Sequence, residues 1–185
     1  MPWGLIAAKL GAAAMNPDAL IAPPDSHHLA AAEGWLGLGD ENEAEQELKQ
    51  ISPGLASHPE VLRVRYHLYE AKGDWESAAE LARRLCEQVP GAAFGWVHLA
   101  YALHELKRTG EAYRVLHPMV SKFPREFVIP YNLACYACKL GELNEARSWL
   151  KKAIALTSPE EIKHMALADP DLEELRAEIR KIKPS

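Results

Sequence analysis

The chain has 185 residues, 48% hydrophobic and 25% charged, enough for one domain with a sizeable core. A net charge of −5 argues against the basic face on which nucleic-acid binders rely, and no apolar run reaches the ~18 residues of a membrane helix, so neither nucleic acid nor membrane is an expected partner. Three cysteines make no disulfide framework and suit a reducing compartment, which points to the cytoplasm.

Residues 1–24 stand apart from the rest of the chain. The opening "MPWGLIAAKLGAAAM" is apolar, but no positive charge precedes its apolar stretch, so it does not read as a secretory signal. Trp3, Leu5, Ile6 and Leu10 allow a short helix over 3–14, and "IAPPD" reads as a linker. Acid is concentrated early: up to His58, Lys9 and Lys49 face eight Asp and Glu, whereas from Pro59 nineteen Lys and Arg face eighteen acids. The run around Glu41, Glu43, Glu45 and Glu47 reads as a solvated face, with docking of a basic partner as the alternative.

From Asp25 onward a period of 34 organises the chain. "LGDENEA" (38–44), "KGDWESA" (72–78), "LKRTGEA" (106–112) and "LGELNEA" (140–146) align without gaps, and their final alanines, Ala44, Ala78, Ala112 and Ala146, are each 34 apart. In the first segment, 25–58, Ser52-Pro53-Gly54 predicts an early helix stop and an irregular loop over 52–58. Gly34 and Gly37 each cost up to ~1 kcal/mol against alanine, so this repeat should be the least stable. In 59–92, Leu81, Leu85 and Val89 have helical spacing, as do Leu99, Ala102, Leu103 and Leu106 in 93–126. Lys107 stands where Gly39, Gly73 and Gly141 end a helix elsewhere, and Gly110 comes three residues later, so the third turn is expected to differ. In 127–158, Trp149, Leu150 and Ile154 continue the helical spacing. Over 159–185 there are two helix starts, at Ser158-Pro159-Glu160-Glu161 and at Asp169-Pro170-Asp171. The second should bury a stripe of Leu172, Leu175, Ile179 and Ile182, forming a capping helix.

These marks resemble the tetratricopeptide repeat (TPR) family over residues 25–158. A small residue sits at the eighth repeat position (Ala32, Ala100, Ala134, with Tyr66 a departure). A large one sits at the eleventh (Trp35, Tyr69, Leu103, with Ala137 a departure), and Pro90 and Pro124 close two repeats. "NLACY", "LGELNEA" and "DPDLEELR" resemble the end-of-array segment of bacterial TPR proteins. The resemblance implies an all-α fold, a right-handed α-α superhelix of four helix-turn-helix repeats plus C-terminal capping helices. It also implies a concave groove lined by the first helix of each repeat. In repeat two this gives Arg63, His67 and Glu70; in repeat three Phe94, His98, Tyr101, His104 and Glu105; in repeat four Tyr131, Asn132, Cys135 and Cys138. The implied function is a non-catalytic protein–protein interaction module that takes a partner's peptide in this groove. The alternatives are a self-associating assembly scaffold, hence a homo-oligomer, and a secretion-type chaperone. A heat-shock-protein clamp fits poorly, since Leu29 and Glu33 stand where it wants Lys and Asn.

Cys135 and Cys138 form a C-x-x-C pair, a spacing used for zinc or for a redox dithiol. Structural zinc takes about four ligands, and only one such pair exists. A redox pair wants its first cysteine at a helix N-terminus, whereas these fall mid-helix, so metal or redox chemistry is the lesser reading. No phosphate-loop, dinucleotide, zinc-protease or nucleophile-elbow motif occurs, and no catalytic residue, cofactor or metal is expected. His27, His28, His58 and His117 read as exposed or capping residues.

Overall fold

A computed structural model describes residues 20–182, so the helix allowed over 3–14 lies outside the described residues. Those residues are helical throughout, without a strand, and form two compact units, one ending at Ala102 and one beginning at Leu103.

The first unit holds α1 (Asp25–Leu38), α2 (Glu41–Gln50), α3 (Pro59–Lys72), α4 (Trp75–Gln88) and most of α5 (Ala93–Glu105). A Gly-Asp pair ends one helix and starts the next. The Gly39 N–H donates to Leu36 O and the Asp40 N–H to Trp35 O, closing α1, and Gly73 and Asp74 close α3 in the same way. The Asp40 and Asp74 carboxylates then cap α2 and α4, each accepting a backbone N–H at 3.1 Å. Helix α1 packs on α2, and α3 on α4. Ala32, Ala44, Ala78 and Ala100, the small residues of the repeat pattern, are wholly buried. At Gly95 the backbones of α5 and α4 nearly touch, and a Cβ there would lie 2.9 Å from the Cys86 nitrogen. Helix α2 stops at Gln50, as Ser52-Pro53-Gly54 predicts, and a 3-10 turn comes next at Pro53–Leu55. The Asp25 carboxylate anchors this loop, accepting the Ser52 N–H at 2.6 Å and its hydroxyl at 3.0 Å.

The second unit holds the end of α5, then α6 (Thr109–Leu116), α7 (Met119–Lys122), α8 (Val128–Lys139), α9 (Leu143–Leu156) and α10 (Pro159–Ala168). A 3-10 helix (Pro170–Leu175) and α11 (Arg176–Ile179) complete it. The turn at Lys107 does not differ from the others. Lys107 itself takes φ 62, its N–H donates to His104 O, and the Arg108 N–H donates to Leu103 O. Gly141 and Glu142 make the same two bonds after α8. The backbone pattern of the repeat thus overrides the side-chain penalty at Lys107. Pro118, which cannot donate to the helical ladder, separates α6 from α7, a break that the apolar spacing does not show. Ser158 caps α10, accepting the Glu161 N–H at 3.1 Å. The second capping helix is shorter and tighter than predicted, and its stripe holds only as far as it runs: Leu172, Leu175 and Ile179 are buried, whereas Ile182 lies past the helix end and is half-buried.

Candidate functional site

In the first unit, α3 carries Arg63, His67 and Glu70 on one face, three and four residues apart. All three are half-buried. Arg63 is held by two carboxylates: its Nε donates to Glu60 at 2.9 Å, and its terminal nitrogen bonds Glu33. Burial alone would lower its pKa; the Glu60 hydrogen bond and the charges of Glu33 and Glu60 outweigh that and raise it. His67 Nδ1 donates to Glu70 at 2.9 Å. This surface is therefore charged but internally paired.

Beneath it lies an aromatic bed. Phe94 and His98 stack at 3.8 Å, and the rings of Tyr66 and His67 meet them edge-on. The Tyr66 hydroxyl donates to His98 O at 3.3 Å, which explains why a tyrosine replaces the usual small residue there. His98 Nδ1 donates to Phe94 O at 2.9 Å. Burial, with the charges of His67 and Arg63, lowers the His98 pKa to about 3, so its ring is neutral at physiological pH. Phe94, His98 and Tyr101, predicted as groove lining, are buried; Tyr101 meets the Trp75 ring edge-on at 5.3 Å. Phe94 and His98 build the floor under His67 of α3.

In the second unit the predicted groove residues are covered by the chain itself. Tyr131, Asn132, Cys135 and Cys138 on α8 are all buried, and the 3-10 helix packs on α8. The Tyr131 hydroxyl donates to Asp169 Oδ2 at 2.8 Å, and the Cys135 thiol reaches the same oxygen at 3.5 Å. Asp169 Oδ1 accepts the Asp171 N–H at 3.0 Å. His104, also buried, donates from Nε2 to Asp171 Oδ2 at 2.9 Å, while its Nδ1 lies 3.0 Å from Thr109 Oγ1. Lys139 stands 3.6 Å from the other Asp171 oxygen. Glu105, next to His104, is half-buried.

The two aspartates are tuned in opposite directions. Burial raises the Asp169 pKa above its ordinary value, against the hydrogen bonds it accepts. Burial also opposes ionisation of Asp171, but the His104 hydrogen bond and the Lys139 charge prevail and lower its pKa. Burial, and then nearby carboxylates, raise the pKa of both Cys135 and Cys138, so the thiols stay protonated rather than forming the thiolates that metal or redox chemistry needs. Among the described residues no group of three or more His, Cys, Asp and Glu side chains could hold a metal ion.

Sequence reasoning misses Asp169 and Asp171, which read only as a helix start, and does not foresee the cover over α8. One signal does point to it. "VIPYNLACYAC" (128–138) has no charge on any side, and a helix apolar all round is normally buried. His28 shows no partner spacing in the sequence, yet its Nδ1 donates to Glu47 at 2.7 Å. His58 does cap α3, accepting the Glu60 N–H.

No family model matches this chain, and no curated protein sequence matches it. Solved structures do. MamA (41–end) from Desulfovibrio magneticus RS-1 superposes with a TM-score of 0.66 at 18% identity, over 87% of this chain and 93% of that one. MamA AMB-1 superposes with a TM-score of 0.60 at 17% identity, over 85% and 88%. At this identity the likeness shows the fold, an all-helical TPR-like one. No helix among the described residues is long and apolar enough to cross a membrane.

Proposed function

We propose that this chain is a non-catalytic protein–protein interaction module of the cytoplasm, whose repeat helices hold a peptide segment of a partner. One observation carries the reading: the slots of α8 that the repeat register assigns to a groove already accommodate a polypeptide, the chain's own Asp169–Leu175, through side-chain hydrogen bonds and buried leucines. The corresponding face of α3 has the same position in its repeat and is partly open to water, with half-buried Arg63, His67 and Glu70 above a stacked aromatic floor. A charged rim over packed aromatics suits anchoring of a partner at low entropic cost.

The test is capture of partners from lysate of the native organism by full-length wild type, Arg63→Ala and His67→Ala. Capture should fall at least about ten-fold in both variants, because each removes a rim group. Melting curves should shift by only about 1 kcal/mol in unfolding free energy, since each variant loses half-buried ion pairs or edge-on ring contacts but no core side chain. Undiminished capture by both variants would sink the α3 face as the binding surface. Tyr101→Ala is not a suitable probe, because Tyr101 is buried and its loss would perturb the fold.

A further inference from the structure

Asp169–Ile179 is built less like a structural helix than like a bound peptide. It is a 3-10 helix with a non-helical Leu172 (φ −101, ψ 17), followed by a single four-residue helical stretch. Helices this short draw their order from what they pack against. The contacts are those of a recognition motif. Asp169 meets Tyr131 and Cys135, Asp171 meets His104 and Lys139, and Leu172, Leu175 and Ile179 are fully buried. Further along, Arg147 of α9 grips Glu178 with two hydrogen bonds of 2.8 Å. The host face offers donors and cations, and the segment supplies carboxylates.

The fit is incomplete. Asn132, wholly buried on α8, has neither amide atom in a hydrogen bond among the described residues, and neither has the buried Arg176 Nε of the segment itself. Arg176 keeps a contact to Glu173 through a terminal nitrogen, but a buried polar atom is normally satisfied, so a segment that leaves its own Nε unpaired is open to replacement by one that does not.

We propose that Asp169–Ile179 is a built-in occupant of the α8 face, and that this face serves a partner segment of the same chemistry: two carboxylates two residues apart, a leucine directly after the second, and a further leucine three residues on. The proposal rests on reading the repeat face as a peptide-binding surface, and it names the chemistry of the peptide. The tethered segment competes by proximity. At an effective concentration of about 1 mM, a tethered segment of micromolar intrinsic affinity weakens any trans ligand for the same face roughly a thousand-fold. A partner therefore binds when it carries a better version of the motif or when the segment is loosened.

The probe is a fluorescein-labelled synthetic peptide spanning Ala168–Arg180, titrated by anisotropy against the full-length chain. The hosts are wild type and two opened variants, Asp171→Ala and the double variant Leu172→Ala with Leu175→Ala. Both opened variants should bind the peptide at least ten-fold more tightly than wild type. A peptide with Asp169→Asn and Asp171→Asn should lose that gain, and so should an opened host that also carries His104→Ala. Absence of saturable binding to both opened variants overturns the proposal, and so does binding indifferent to the peptide's carboxylates. Concentration-dependent dimerisation of wild type without peptide uptake overturns it too, because the segment would then seat on a second copy of the chain. None of these results bears on capture through Arg63 and His67 on α3, so the two readings fail separately.

Discussion

Helices α3 and α8 hold the same position in their repeats, yet one meets water and the other is sealed. The difference arises from which side chains fill equivalent slots. On α3 they are Arg63, His67 and Glu70, which pair with carboxylates or with one another and remain hydrated. On α8 they are Tyr131, Asn132, Cys135 and Cys138, whose apolar surface and weak polar groups gain from cover. The chain supplies that cover from its own C-terminal residues. Repeat geometry therefore sets where a peptide can lie, and side-chain chemistry decides whether the surface stays open.

The cover is the sharpest place to break this contrast. Leu172 is wholly buried, and Leu172→Ala should destabilise the second unit by about 2–5 kcal/mol, measured by denaturant unfolding. A second readout is specific to the cover. Cys135 and Cys138 should react with a thiol reagent much faster in this variant, while Cys86, in the other unit, should not change. Unchanged reactivity at both α8 cysteines would show that the leucine does not hold the cover in place.

A smaller effect is expected at Asp171, and it depends on pH. Its folded-state pKa is depressed below the ordinary 3.8. The stability it contributes is therefore present above that value and lost as pH falls through the lower, folded-state pKa. Asp171→Asn should cost about 1.5 kcal/mol near neutral pH, and the gap from wild type should close at acid pH. A gap independent of pH would assign the contact to packing rather than charge. Asp169 works in the opposite sense: its raised pKa makes ionisation a cost of folding, so it cannot be the source of a loss on acidification.

What the sequence reveals and what it hides depend on distance along the chain. The helix ends at Gly39, Gly73 and Gly141 and the buried alanines are legible because each is a local requirement repeated every 34 residues. The two carboxylate contacts are not legible. Asp169 does begin a helix, as its Asp-Pro-Asp context predicts, but its bond to Tyr131 spans 38 positions and that of Asp171 to His104 spans 67. No periodic pattern connects such pairs. Tyr66 lies between these cases: it is visible as a departure from the repeat, while its reason, a bond to the His98 carbonyl 32 residues away, needs the fold. The C-x-x-C pair shows the same limit, because its spacing suggests chemistry and its burial keeps the thiols protonated.

The smallest change tests the second unit without touching its cover. Lys107 is the non-glycine residue at φ > 0 among the described residues, in a turn that glycine fills at the three equivalent positions. A left-handed conformation costs an L-residue roughly 1–2 kcal/mol, and glycine relieves it while adding freedom to the unfolded chain. The net expectation for Lys107→Gly is a gain of about 1 kcal/mol in unfolding free energy. Lys107 is exposed, so little packing is lost to offset it. The turn also sets the spacing between His104 and Thr109, whose side chains meet across it. If the substitution relieves strain and nothing else, the affinity of the Ala168–Arg180 peptide for an opened host should be the same with Lys107 or glycine. A stability gain accompanied by altered peptide affinity would show instead that the strained turn helps aim His104 at Asp171.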